Sequence, residues 1–463
     1  MTKIIFIRCT FRLHDNPLLE HYDENTSIVI LIDSDRILPL KKLVPSFDKN
    51  DHLKATLALI DKKRYCWGYH QYYLYLLAVR DHYLQLKKMK MNVHLLKGKA
   101  TSVVELLSKH FDECIYDLFD EPGVFPMDNA IKKKFKKSIP VCTHTMVDWS
   151  KNKYVKTTNK KFKENFVKTY YPHLRNHNDV FKTKIISKDT SWKKDKLKSF
   201  NINNEILRVQ KEFLKNGIEP LVIHEGDIEH YALKLLERSI KKYKMNTSKW
   251  YKPNTVADLR FETEDPKGLA NTSKLSPFFA IGVLSSLRAF QKWNKDISFA
   301  TKQGTALDQM LWRELFHASS TLPHFWDNHD KTNNFTISKD SFWKEYSWKN
   351  YNSKNKEYLN WIEGKTEKKD TDIAMKKLAK DGWIHHLSRH MVADFLTRGG
   401  LENDWMLGEA WFKQTLLDHD ASVNRCNWLW LSASAFSFKQ TFAHYNHSQY
   451  VTNHSKKARK LLK

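Results

Sequence analysis

Two domains of different class are predicted: an amino-terminal α/β domain built on a doubly wound parallel sheet, and a following all-α domain. Three observations predict them. Short β-branched runs alternate with longer amphipathic stretches over residues 1–147, strand signals almost vanish from about residue 206, and 12 of the 15 tryptophans lie at or beyond Trp250. The length agrees, because 463 residues exceed the ~100–200 of one ordinary domain.

In the first domain, residues 4–8, 27–33, 92–97, 113–117 and 139–144 read as strands, being short, rich in Ile and Val and bounded by turn residues. Residues 51–90 and 101–111 carry helical periodicity. Strand, helix, strand in succession implies a parallel sheet with helices on both faces, and a ligand of such a sheet sits at the carboxyl ends of its strands. No GxGxxG is present. Residues 148–205 turn Lys-, Asn- and Thr-rich, with runs such as Lys160-Lys161-Phe162-Lys163 and Lys193-Lys194-Asp195-Lys196, and read as a basic connector. Residues 206–447 form the helical domain. Residues 448–463, with Lys456, Lys457, Arg459 and Lys460, read as a basic tail.

Composition narrows the function. Hydrophobic residues at 41%, with only 13 Gly and 12 Pro, exclude collagen-like and wholly disordered chains. Lys and Arg number 78 against 52 Asp and Glu, a surplus of +26 that most naturally meets a polyanion, nucleic acid ahead of an anionic membrane. No run approaches the ~18–20 apolar residues that span a bilayer, and Met1–Arg8 is too short for a signal sequence. The five cysteines are widely spaced without a CxxC pair. They argue against a disulfide framework and a zinc site, and place the chain in a reducing compartment, nucleus or cytoplasm. No metal is expected.

Four clusters carry chemistry. His386 and His390 are four apart in a helical pattern running from Gly382 through Thr397, so they share a face, with Arg389 beside them. Asp418-His419-Asp420 stands just ahead of Asn424, Trp428 and Trp430. A buried Asp needs a cation, and Arg389 is the candidate partner. Asn271-Thr272-Ser273-Lys274-Leu275-Ser276-Pro277 sets hydroxyls and one cation ahead of an apolar helix, an arrangement suited to a diphosphate. Gln309-Met310-Leu311-Trp312 offers an amide and an indole on a helix, as base-edge bonding and stacking require. Each alone also fits a plainer role: satisfied histidines, core tryptophans, or helix caps.

Taken together and in this order, the four clusters resemble those of the photolyase/cryptochrome family, and Phe11-Arg12-Leu13-His14-Asp15-Asn16-Pro17-Leu18 resembles that family's opening motif after its first strand. The similarity runs over roughly residues 1–440 and is densest at 270–435. It implies an α/β domain that can house a light-harvesting antenna of folate or deazaflavin type, and a helical domain enclosing FAD. By position, Thr272, Ser273, Lys274, Leu275 and Ser276 would hold the FAD phosphates. Arg389 and Asp418 would form the ion pair beside the isoalloxazine, Asp420 would lie close by, and Asn424 would face flavin N5. A fixed cation and an amide would stabilise negative charge on a reduced flavin.

Gln309, His386 and His390 resemble the (6-4) photolyase and animal cryptochrome branch, where cyclobutane-dimer enzymes typically carry Glu, Asn and Met. The resemblance implies light-driven repair of pyrimidine-pyrimidone (6-4) photoproducts in double-stranded DNA by a monomer. His390 or His386 would be the proton donor, and Trp312 and Trp430 would line the cavity for a flipped-out lesion. A cryptochrome-type sensor and a cyclobutane-dimer photolyase are the alternatives; the short stretch after Phe442 and the basic balance favour repair. Trp428 and Trp405 match the inner two members of the family's electron relay, while the outer position falls on Tyr351, with Trp348 nearby. Two local departures are expected to matter. The turn at Thr366–Asp372 is rebuilt, and Cys426 stands where a Gly is common.

Overall fold

A computed structural model describes residues 2–37, 67–119, 121, 124–152, 154, 157–177, 200–221, 227–242, 273–294, 296–301, 305–322, 325–326, 355–384, 386–397 and 400–432. The first domain is the expected parallel sheet. Strands β1 (Lys3–Ile7), β2 (Thr26–Asp33), β3 (Val93–Gly98), β4 (Glu113–Leu118) and β5 (Lys137–Cys142) lie in the order β3-β2-β1-β4-β5. Ile5 of central β1 stands beside Ile28 on one side and Ile115 on the other. Both faces of β1 and β2 are covered, which is why their sequences are continuous apolar runs rather than alternating ones. β5 is the half-exposed edge and tolerates Pro140. It begins two residues before the expected 139.

Helix α1 (Tyr69–Lys88) realises the carboxyl half of the stretch predicted at 51–90; residues 51–66 lie outside the described ones. Helix α2 (Ala100–Leu107) follows β3 as expected. Helix α3 (Phe125–Lys134) has no counterpart in the sequence reading. Its inward face is Met127, Asp128 and Ile131, so a buried carboxylate interrupts the apolar period that would have disclosed it.

The connector also contains structure. Thr158 caps helix α4 (Asn159–Asn165) by accepting from the Lys161 N–H, and the chain winds on through Phe166–Tyr170. Phe162 and Phe166 are buried four residues apart, with Lys163, Glu164 and Asn165 between them masking the period. Lys163 itself is buried against Asp308. Residues 178–199 lie outside the described ones.

The second domain is helical: α5 (Ile202–Lys215), α6 (Ile228–Lys242), α7 (Ser276–Ala280), α8 (Ser286–Trp293), α9 (Ala306–Ser320), α10 (Lys356–Glu363), α11 (Lys369–Asp381), α12 (His386–Thr397), α13 (Trp405–Thr415) and α14 (Ala421–Leu431). Caps mark many starts. Ser285, Thr305, Asn355, Asp404 and Asp420 each accept a first-turn N–H, a contribution of about 1 kcal/mol apiece. The helix read from Gly382 to Thr397 is corrected: Gly382, at φ +68°, terminates α11, and a fresh helix begins at His386. Across Thr366–Asp372, the Asp372 carboxylate accepts from the Thr366 N–H (2.8 Å) and hydroxyl (2.7 Å).

The opening segment after β1 joins the domains. Arg12 is buried and donates to the carbonyls of Asp15, Thr143 and Gly282; burial lowers it to about 10. Gly282 also accepts from the Phe11 N–H at 3.2 Å. A Cβ there would stand 1.7 Å from the Cys9 carbonyl oxygen, and φ is +71°, so only glycine fits. The Glu229 carboxylate of α6 takes the backbone N–H groups of Leu13 and His14, each at 2.9 Å. Among the described residues no helix is long and apolar enough to cross a membrane.

Candidate functional site

The predicted ion pair forms. Arg389 extends from the first turn of α12, and its Nη2 donates to Asp418 Oδ2 at 2.9 Å, while Nε donates to the Ile384 carbonyl at 2.9 Å. The same carboxylate oxygen accepts from Ser276 Oγ at 2.6 Å. Three of the four clusters are thereby joined: the hydroxyl run, the His/Arg helix and the Asp-His-Asp turn. Lys274 sits in the left-handed region at φ +53°, a conformation that costs a non-glycine residue on the order of 1 kcal/mol. Its ammonium and the Arg389 guanidinium both lie over Trp383, 6.0 and 5.8 Å from the ring centroid. Ser273 Oγ accepts from the Leu275 N–H, and Leu275 is buried. Thr272 lies outside the described residues.

Asp418 Oδ1 is buried without a hydrogen bond in the protein. A buried acceptor of this kind implies a donor from elsewhere. With two serine hydroxyls and the Lys274 and Arg389 cations converging on the same wall, the donor set fits an anionic, hydrogen-bonding cofactor such as FAD. Asn424 is buried in α14 and its amide donates to the Glu409 carbonyl at 3.2 Å. Cys426 is also buried, its thiol near the Phe316 carbonyl (3.8 Å), and burial pushes it well above the usual thiol range.

His386 opens α12, and the His390 ring stands 5.2 Å from the Trp430 ring, edge to face. Trp312 packs on Phe316 at 5.6 Å beneath the Lys163 ammonium at 5.0 Å. Gln309 is exposed and donates to Asp308 at 3.2 Å. Trp428 is buried between Phe412 (5.0 Å) and Trp361 (6.4 Å). Trp405 is buried beneath the Arg425 guanidinium at 5.0 Å. Tyr351, Trp348 and the tail 448–463 lie outside the described residues.

Asp420 has a role that its place in the motif did not disclose. One oxygen caps α14, and the other takes His144 Nε2 (3.1 Å), His317 Nε2 (3.0 Å) and Arg313 Nη2 (3.3 Å). Burial alone would raise this carboxyl, but the two histidines and Arg313 outweigh it and hold it well below the usual range. Burial and Arg313 together lower His144 to about 3, so it is neutral. His144, His317 and Asp420 approach closely enough to suggest a metal ion. The Arg313 guanidinium, 2.6 Å from His144 Nε2, already supplies the positive charge there. Neighbouring Glu314 is raised by burial and accepts from the Met146 N–H and the Trp149 indole, each at 3.0 Å.

His144, Arg313, His317 and Trp383 were not singled out from sequence. Arg313 and Trp383 lay within or beside quoted clusters, whereas His144 had no local signal. In the α/β domain, the crevice between the carboxyl ends of β1 and β4 is filled by Arg8, which pairs with Asp117 (3.0 Å) and Asp128.

Comparison with known proteins agrees with the pocket. The profile of the FAD binding domain of DNA photolyase matches residues 306–459. Rat (Rattus norvegicus) cryptochrome-1 is 28% identical over 461 residues, covering 96% of this chain and 69% of that protein. The (6-4)DNA photolyase of Arabidopsis thaliana is 35% identical over 218 residues, 46% of this chain, and the chain spans only 35% of that enzyme's length. The solved cryptochrome of Synechocystis superposes with a TM-score of 0.69 at 15% identity, covering 100% of this chain and 88% of the other, which establishes the shared fold.

Proposed function

We propose, from the premise that the chain belongs to the photolyase/cryptochrome family, that it is a light-driven lyase repairing pyrimidine-pyrimidone (6-4) photoproducts in DNA, with FAD bound by its helical domain. The observation that carries the proposal is the placement of His390 against Trp430, one residue on from the Arg389 that pairs with Asp418. That arrangement would set an ionisable imidazole and a flat apolar wall beside the bound cofactor.

FAD, reduced and excited by blue light, would supply the single electron that opens the lesion. The residues of this chain bind and orient. Ser273, Lys274 and Ser276 would hold the diphosphate, and Asp418, fixed by Ser276 and Arg389, would accept a hydrogen bond at Oδ1. Arg389 would place a positive charge where negative charge develops. His390 would deliver a proton from a ring nitrogen to the oxygen that migrates between the two bases, His386 standing one helical turn before it. Trp430 and Trp312 would stack against extruded bases, and the net charge of +26 would bind the phosphates.

The test is blue-light repair of defined (6-4) and cyclobutane-dimer oligonucleotides side by side, after confirming that denaturation releases FAD. The (6-4) substrate should be restored, and His390→Ala should slow that repair by about 100-fold or more with FAD still bound. Equal repair by variant and parent would remove the acid role. Restoration of neither lesion would favour a light sensor, a reading that the likeness to rat cryptochrome-1 over nearly the whole chain also supports.

A further inference from the structure

Asp418 lies in the five-residue turn 416–420 between α13 and α14, and the α/β domain grips that turn on both sides of it. Gln71, buried in the first turn of α1, donates its amide to the carbonyl of His419. His144, just past β5, holds Asp420 at 3.1 Å. The His144 carbonyl is itself fixed by Arg313 (3.0 Å) and by the Ser286 hydroxyl (3.1 Å). Before the turn, α1 enters so closely that a Cβ on Gly68 would meet the carbonyl oxygens of Lys413 and Gln414 at 2.5 and 2.6 Å. The Tyr69 hydroxyl donates to the Ala379 carbonyl (2.8 Å), and the Leu417 N–H donates to the Gly382 carbonyl (2.7 Å). Among the described residues, the side-chain partners of the Asp418 carboxylate are Ser276 and Arg389, both on Oδ2. Its place therefore depends on the backbone that these neighbours immobilise.

We propose that Gln71 and His144 of the α/β domain are positioning residues for the FAD pocket: by clamping His419 and Asp420 they fix the Asp418 carboxylate against Arg389 and Ser276. The proposal rests on the FAD-binding reading above. It assigns the α/β domain a task beyond any antenna, because the shape of the pocket in one domain is set by two side chains of the other.

A double-mutant cycle tests it on the full chain with FAD bound. Gln71→Leu keeps the volume and removes the donor; Asp418→Asn removes the charge that the donor is said to place. The readout is the rate of FAD release, followed by the rise of flavin fluorescence on dilution, together with the fine structure of the bound flavin's visible band. Gln71→Leu should speed release about tenfold in the parent background and less than about twofold beside Asp418→Asn, because residues acting through one another are non-additive. The same factor in both backgrounds, or no change in the parent, overturns the proposal. Should Gln71→Leu fail to accumulate as folded protein, His144→Asn is read in the same cycle against the same two outcomes. A parent protein that yields no flavin even on denaturation would instead overturn the FAD reading before any variant is compared.

Discussion

Gly408 offers a sharp test of the packing behind the site. It lies inside α13, where replacing Gly by Ala ordinarily stabilises a helix by about 1 kcal/mol. Here the added Cβ would fall 2.0, 2.4 and 2.6 Å from Cη2, Cζ3 and Cζ2 of Trp428. That indole is 1% exposed and walled by Phe412 and Trp361, so it cannot turn aside without moving two further aromatic rings. Overpacking a filled core costs about 1–3 kcal/mol and sometimes more. A contact at roughly half the normal carbon separation belongs at the upper end. Subtracting the helix gain leaves Gly408→Ala destabilised by about 2 kcal/mol. Urea unfolding should show a lower midpoint at unchanged m. Trp428→Phe removes the ring atoms that collide, so in that background Gly408→Ala should be near neutral or stabilising. A Gly408→Ala protein at least as stable as its parent would refute the reasoning.

Acid should weaken the fold well above the carboxylate range. Burial holds His144 and His419 down to about 3, with Arg313 and Lys413 adding to the effect. The unfolded chain therefore binds protons near the ordinary histidine value while the folded chain does not. Stability should fall as pH drops from 7 to 5, by about 2 kcal/mol for each histidine, and urea midpoints equal at the two pH values would contradict this. Asp420 acts in the same sense but at lower pH: its stabilising contribution is lost only as pH falls through its own depressed value. At the connector, Lys163→Met strips the buried Asp308 of its lysine partner and should cost about 3–5 kcal/mol. Pairing it with Asp308→Leu should restore most of that, and a single variant as stable as the parent would show that the pair contributes little.

The central strands β1 and β2 were legible because each is a run of apolar, mostly β-branched residues buried on both faces, a property carried wholly within a few neighbouring residues. The plainer capping role open to the Asp418-His419-Asp420 cluster was legible for the same reason, Asp420 being a cap that acts within one turn. Where the local signal was diluted, the reading failed. In α3 a buried Asp128 serves Arg8 from another element, and at α4 the polar residues Lys163, Glu164 and Asn165 separate the buried Phe162 and Phe166. The helix drawn through Gly382 failed because periodicity registers an apolar face and not a glycine at positive φ, pressed here against the His70 ring.

At the site, the amino-acid order alone determined which chemical groups exist and which share a helix face: His386 with His390, Arg389 as the cation seeking Asp418, and hydroxyls flanking Lys274. Only tertiary structure decided that Ser276 shares that aspartate, that Asp420 is taken up by His144, His317 and Arg313, and that Gln71 reaches His419 across 348 positions of chain. The physical reason is range. Capping and periodicity act over one turn of backbone, whereas a buried carboxylate takes whatever donors the packing of whole elements brings within 3 Å, and nothing in the spacing of residues records which those will be.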